Sequence, residues 1–439
     1  MKKLLSIILV CVMLLGGMTA CSRNDENTLY FLNFKPESAD AYNKVAAKYK
    51  EETGKTLRVV TAASGTYEQT LKSEISKSDA PVLFQLNGVI GYNAWKDYCK
   101  DLSDSEIYKH LSDAELAISS GDGVYGVPTV VEGYGIIYNK AITDRYFALT
   151  NRTTKFTSMD EIRSYEALSA LVMDMTAHKE ELGIRGVFAA TSLKSGEDWR
   201  FQTHLANVPI YYEFKNKNID ISRDDISNVD FSYAGQYRKL FDLYLNNSTT
   251  DKKLLGSKQV ADSMAEFALG QCAMVQNGNW AWSQIKDVNG NTVKSEDIKF
   301  LPLYIGAEGE NKQGLCVGTE VYFAINSKAS PEKQKMAEDF LAWLYTSESG
   351  KDLVTNELGF IAPYDTFGDD EAPKDPLGRE VYEWMNKEGI DTVPWVFSVF
   401  PSQNFKSDFG AALLQYAQGN KGWDEVVNIF KTRWKEESA

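Results

Sequence analysis

At 439 residues the chain is too long for one ordinary hydrophobic core and predicts two domains or one very large one. Hydrophobic residues make up 43% and aromatic residues 12%, enough for sizeable cores with aromatic surface to spare for flat ligands. The net charge of −14 makes nucleic acid and other polyanions unexpected partners, and it selects no small ligand.

Lys2 and Lys3 precede an apolar run, Leu4 to Leu15, and Gly16-Gly17-Met18-Thr19-Ala20 leads into Cys21. The run is too short to span a membrane comfortably and reads as a secretory signal. Small residues directly before a cysteine resemble a bacterial lipobox, with Met18 in place of the more usual Leu. Residues 1–20 are therefore expected to be a lipoprotein signal peptide, Cys21 the lipidated first residue, and residues 21–27 a lipid-anchored tether. Cys99, Cys272 and Cys316 then remain without close spacing, so buried free thiols are expected and one disulfide at most. No other apolar run predicts a second membrane span.

Thr28 to Asn33 reads as a buried strand, and Ala39 to Thr53 as an amphipathic helix stopped by Gly54. A strand at Leu57 to Thr61, a helix at Tyr67 to Ser76 and a strand at Pro81 to Leu86 continue the alternation, which predicts a parallel α/β sheet. Ligands of such sheets sit beyond the carboxyl ends of the strands. That directs attention to Phe34 to Glu37, to Ala62 to Tyr67, and to Asn87-Gly88. Gly121-Asp-Gly-Val-Tyr-Gly126 matches a dinucleotide fingerprint in letters only. A proline and a β-rich run follow it where a helix should open, so it reads as a hairpin turn at Asp122-Gly123.

Further along, Met159 to Lys179 predicts one long helical region, Phe188 to Thr191 a short strand, and Trp199 to Leu205 and Phe231 to Leu245 further helices. Val260 to Leu269 is a helix, opened by Ser257 or Asp262, and leads into the strand Cys272 to Val275 and an Asn-Gly-Asn corner carrying Trp280 and Trp282. Asp287 to Asn291 begins like a calcium loop but lacks Gly at the sixth position and Glu at the twelfth, so it is a surface turn and no metal site is expected. Cys316 to Asn326 is a strand run and Met336 to Tyr345 a helix. The tail is helical except for a loop from Val393 to Phe400, and Ala411 to Gly419 and Trp423 to Trp434 close the chain as helices.

Three segments carry a resemblance: the lipobox, Tyr125-Gly-Val-Pro128 with Val131-Glu-Gly-Tyr-Gly-Ile-Ile-Tyr-Asn-Lys140, and Ala273-Met-Val-Gln-Asn-Gly-Asn-Trp-Ala-Trp282. In this order and spacing the chain resembles the extracellular sugar-binding lipoproteins of ABC importers, the maltose-binding-protein-like family. The resemblance implies an α/β, two-lobed periplasmic-binding-protein fold with three hinge crossings, near Val131 to Tyr134, Cys316 to Thr319 and Ile361 to Tyr364. Residues 28–133 and 316–362 would form the first lobe, and residues 134–315 and 363–439 the second. Ligand would bind in the cleft and draw the lobes together.

The resemblance also implies site residues. Trp280 matches the tryptophan whose ring stacks on a sugar face, and Glu132 a cleft carboxylate that accepts bonds from hydroxyls. Asn87 sits near a hydroxyl-binding acid of the family, and Lys35 and Glu37 lie in the loop after the first strand, where polar ligand contacts are common. Tyr134 is a candidate second platform, Asn277 and Asn279 are candidate hydroxyl binders, and Trp199, Trp395 and Phe405 are further stacking candidates. Gln85, Ser64 and Tyr67 are weaker candidates, and Trp282 is read as packing. For Trp280, Glu132, Lys35 and Glu37 the bland reading, a core ring or a satisfied charge, stands beside the functional one.

The implied function is capture of an oligosaccharide, raffinose-type or malto-oligosaccharide, for delivery to the transmembrane subunits of an ABC permease. The protein would be a monomer without cofactor, held by its lipid anchor at the outer face of the bacterial cytoplasmic membrane. His110, His178 and His204 have no metal-ligand spacing, and no hydrolase motif occurs. Two carboxylates would suffice for a secreted glycoside hydrolase, and a glycan-binding surface lipoprotein without a transport role is the other alternative.

Overall fold

A computed structural model of the chain describes residues 27–63, 65–219 and 226–438. The expected signal peptide, Cys21 as the expected lipidation site, and Ser64 lie outside the described residues. Twelve strands occur among the described residues. In chain order the first six are β1 (Thr28–Asn33), β2 (Thr56–Thr61), β3 (Leu83–Asn87), β4 (Ile118–Ser120), β5 (Gly123–Pro128) and β6 (Glu132–Asn139). The rest are β7 (Gly186–Phe188), β8 (Cys272–Gly278), β9 (Ile298–Leu301), β10 (Gln313–Gly318), β11 (Val321–Ile325) and β12 (Asp391–Pro394).

They form two sheets, one per lobe of a mixed α/β architecture. The first runs β2-β1-β3-β11-β5-β4, with β1 parallel to β2 and β3, and β11 antiparallel to β3 and β5. The second runs β12-β10-β6-β8-β7, with β9 also paired to β6. The continuous apolar runs of β1 and β8 are explained by burial on both sheet faces, since helices cover each side. The helix Ala39–Thr53 turns its Tyr42, Val45 and Tyr49 onto the first sheet and ends at Gly54, whose φ of 71° closes the last turn.

The chain passes between the sheets three times. β5 ends in the first sheet at Pro128 and β6 begins in the second at Glu132, so Glu132 and Gly133 lie in the second sheet and not in the first lobe as expected. β10 leaves the second sheet at Gly318, and β11 joins the first at Val321. The third passage, expected near Ile361 to Tyr364, lies later: it runs from Phe367, packed on the first core, to the helix Pro376–Met385, whose Leu377 and Val381 pack on the second. An antiparallel bridge between Val131 and Ile361 ties the first passage to the segment before the third.

Several local expectations change. The turn in the glycine-rich string is Gly121-Asp122, one residue earlier than expected, because Ser120 pairs with Gly123 and Gly121 supplies the positive φ of 60°. Residues 159–179 are not one helix. A single turn, Met159–Glu161, is followed by a helix from Tyr165 to Ala177, capped by the Ser164 side chain on Ala167 N–H. The helix after residue 259 starts at Gln259, with Asp262 returning a bond to the Gln259 N–H at 2.8 Å. The expected loop at 393–400 contains β12, an edge strand parallel to β10, where Pro394 needs no ladder donor.

Cys99, Cys272 and Cys316 are free and buried, and burial pushes the Cys99 and Cys316 thiols up to about 12. Phe405 requires a correction. It is fully buried, on the inner face of the helix Gln403–Ala417, with its ring 5.0 Å from Phe430 and 5.3 Å from Trp434. The helix period, not a ligand, accounts for its position. Phe405→Ala is expected to cost about 3–5 kcal/mol in urea unfolding, whereas an exposed platform residue would change stability by no more than about 0.5 kcal/mol.

Candidate functional site

The site begins where β1 stops. Asn33 brackets the next turn: its Nδ2 donates to Lys35 O at 2.7 Å, and its Oδ1 accepts from Lys35 N–H at 3.1 Å. Gln85 on β3 accepts from Phe34 N–H at 2.6 Å, and the Tyr67 hydroxyl bonds the Gln85 backbone in turn. Gln85 and Tyr67, both buried, are thus committed to shaping this loop rather than to facing a ligand. The turn aims the Lys35 ammonium across the cleft at Glu132, the first residue of β6, at 2.7 Å, with Glu37 at 3.7 Å. Lys35 is 5% exposed and Glu132 4%.

One ammonium therefore answers two carboxylates, and Glu320 on the β10–β11 passage adds a third negative charge to its field. Burial pulls the Lys35 ammonium down, but Glu132 and Glu37 together outweigh it and leave it raised. Burial also raises the Glu132 carboxyl despite the pull of Lys35, because two further carboxylates share the same cation.

The opposite wall is built on β8. Asn279 exchanges two bonds of 3.0 Å with Gly133 on β6, N–H to carbonyl one way and N–H to Oδ1 the other, which fixes the corner. Gly278 is needed for close approach, since a Cβ there would lie 2.1 Å from the Trp280 ring. Trp280 is partly buried, and its indole Nε1–H is buried without a hydrogen-bond partner. Its ring lies 5.8 Å from Trp199 and 5.8 Å from His204, and the Lys35 ammonium sits 5.8 Å over its face. Burial, then the Arg200 charge, holds the His204 imidazole well below its ordinary range and hence neutral.

A cavity of about 300 Å³ lies between these walls. Lys35, Glu37, Glu132, Asn279 and Trp280 line it together. Trp199 reaches the cluster through its contact with Trp280. Two expectations need correction here. Tyr134 is 1% exposed, its hydroxyl donates to His204 O at 3.0 Å, and its ring is packed among His204, Trp395 and Phe397, which leaves no platform. Asn277, 1% exposed, spends its Oδ1 on Arg200 Nε–H and Gly278 N–H and its amide on Met264, so it is a support.

Trp395 is buried in the Tyr134 cluster with its Nε1–H unpartnered. Asn87 ends β3 opposite Val321 and precedes the helix Gly88–Trp95, away from this cavity's lining. Trp282, expected to pack, both packs against the second-lobe core and lines the cavity. Sequence reasoning passed over Arg200, beside Trp199, and Asp375, whose Asp-Pro before an amphipathic run was a legible helix start.

Asp375 caps the helix Pro376–Met385 by accepting from Gly378 N–H at 2.8 Å and lines the same cavity. Burial pushes its carboxyl from the ordinary 3.8 up to about 6, against the opposing helix-end bonds. The group therefore favours the folded state fully below its unfolded value and loses that contribution as pH rises through about 6. Asp375→Asn keeps a good cap. It is expected to flatten the fall in urea midpoint between about pH 4 and pH 6, and an unchanged slope would show that the carboxyl titrates normally.

Residues 44–378 match the family model described as bacterial extracellular solute-binding protein. Solved structures share the fold over nearly the whole chain. A chitin oligosaccharide binding protein is 16% identical, with a TM-score of 0.70, covering 94% of this chain and 98% of that one. The solute-binding protein RafE in complex with raffinose is 16% identical, with a TM-score of 0.69 and coverage of 94% and 100%. Maltose-bound MalE3 of T. maritima is 13% identical, with a TM-score of 0.68 and coverage of 93% and 99%.

Proposed function

The chain belongs to the bacterial extracellular solute-binding proteins, and from that premise we propose that it captures an oligosaccharide between its lobes and delivers it to an ABC permease. The observation that carries this reading is the Trp280 face, with its unpartnered Nε1–H, set against the Lys35–Glu132 pair at one cavity. A pyranose presents C–H groups on its face and hydroxyls on its rim. An indole accepts the first, while a carboxylate, an ammonium and the Asn279 amide bond the second.

Lys35 comes from the first lobe and Glu132, Asn279 and Trp280 from the second. A ligand bonded to both walls favours the closed arrangement by the difference in its affinity for the closed and open states. That closed, loaded form is what a permease would recognise. The neighbours named for chitin oligosaccharide, raffinose and maltose support a carbohydrate ligand for this chain as well. Raffinose-type and malto-oligosaccharides lead the list of ligands to try. Cys21, through its lipobox, would keep the protein at the outer face of the membrane beside the permease.

A thermal-shift panel that includes raffinose and maltotetraose tests the reading, because a ligand bound only by the folded state raises the melting temperature. Trp280→Ala is expected to weaken the binding so found by about 2–4 kcal/mol while leaving the ligand-free melting temperature and far-UV dichroism near wild type. Calorimetry showing unchanged affinity in that variant would remove Trp280 from the site.

A further inference from the structure

Arg200, beside Trp199, is a buried cation that makes no ion pair among the described residues. It is 3% exposed. Its guanidinium stacks 3.8 Å over the Trp199 ring, and its Nε–H donates to Asn277 Oδ1 at 3.1 Å. Among the described residues, no acceptor bonds its two Nη groups and no carboxylate lies within ion-pair distance. The carboxylates that it feels are both engaged elsewhere. Glu37 lies 3.7 Å from Lys35, and Glu197 accepts from Val260 N–H at 2.7 Å and from Lys194 at 3.4 Å. Burial pulls Arg200 down to about 9, since a dry site disfavours the charged form.

A second cation repeats the pattern. Lys406 is 7% exposed and makes no ion pair among the described residues, with Glu320 the one carboxylate acting on it at longer range. Arg200 and Lys406 both lower the His204 imidazole electrostatically, and the His204 ring touches Trp199 and Trp280.

We propose that the ligand is an acidic oligosaccharide, in which one sugar ring lies on Trp280 and its carboxylate takes the free Nη fork of Arg200. This rests on the carbohydrate reading above and names its class. Arg200 is not among the residues lining the cavity and adjoins it through Trp199 and Trp280. Stacking on Trp199 and the Nε bond to Asn277 fix the plane of the guanidinium, and its Nη edge has no acceptor among the described residues. That edge matches the two oxygens of a carboxylate, which supplies both the acceptors and the opposite charge. A neutral hydroxyl would satisfy one donor and leave the charge unanswered. The acidity of the whole chain does not oppose this, since exposed charges are screened beyond about 8 to 10 Å while buried groups in the cleft are not.

Trisaccharides ending in one glucuronate, galacturonate or mannuronate, each beside its carboxyl-reduced neutral counterpart, test the proposal by calorimetry on the mature chain. At least one acid is expected to bind about ten- to a hundredfold tighter than its neutral counterpart. R200Q is expected to erase that difference, the acid losing more affinity than its neutral counterpart, and R200K to keep a reduced preference, with dichroism and melting confirming the fold of each. Equal or tighter binding of the neutral sugars overturns the inference and leaves the carbohydrate reading standing. A preference that survives R200Q, or one for a sulfated trisaccharide over every uronate, also overturns it. Binding of no sugar of either kind overturns the carbohydrate reading, and the inference with it.

Discussion

Lys35 and Glu132 meet at 2.7 Å in a place that water hardly reaches, and they come from different lobes. Desolvating both groups costs as much as their attraction returns, so such a pair adds little net stability. Removing one partner alone would cost about 3–5 kcal/mol, because the other charge would be stranded. The pair therefore specifies an arrangement. With the lobes in register, Lys35 is satisfied and Trp280 has a cation over its face. With the lobes apart, both charges recover water. Opening and closing can then lie close in free energy, which is the condition under which a ligand of modest affinity decides between them.

The chain supports that contact from both ends by short-range bonds. Asn33 and Gln85 hold the Lys35 turn, and Tyr67 holds Gln85. On the other side Asn279 locks the β8 corner to Gly133, the residue after Glu132. The same two-residue stretch thus places the carboxylate and the tryptophan. Gly278 leaves the space the ring occupies. Under the proposed function, closure would move each wall as a unit, which is how a small set of contacts can be read as a two-state signal.

The fold was legible where burial on both sides forces a continuous apolar strand, as in β1, or where periodicity and a glycine stop mark a helix, as in residues 39–53. The Trp280 corner was legible from its local chemistry and its resemblance. Aromatic residues outside such contexts were not. Phe405 reads the same in sequence whether it faces a cleft or Trp434, and only the packing of two helices decides. Tyr134 alternates on β6 with residues of either face, so its burial depends on what covers that face, here His204 and Trp395. Arg200 was invisible for a related reason. An arginine beside a tryptophan is ordinary on a surface, and what sets this one apart is the absence of a carboxylate that the sequence, with 61 acidic residues, offered in abundance.

That absence has a physical meaning. Buried cations normally carry their counter-charge with them, as Lys35 does here and as Lys258 does with Glu266 at 2.7 Å. Holding one without it costs folding free energy, and a chain this acidic could supply a carboxylate at little structural cost. The proposed acidic ligand would bring the missing partner from outside. The widened helical turn from Arg200 to Leu205 points the same way. It interrupts regular α-helical bonding just where Arg200 and His204 must reach the aromatic wall, before Pro209 in the helix that follows. Local irregularity, an unpaired buried cation and two indole rings thus coincide on the second lobe, beside the Lys35–Glu132 pair that spans the two lobes. A ligand that met the unpaired cation at one end and the Trp280 face at the other would be given an orientation as well as a place.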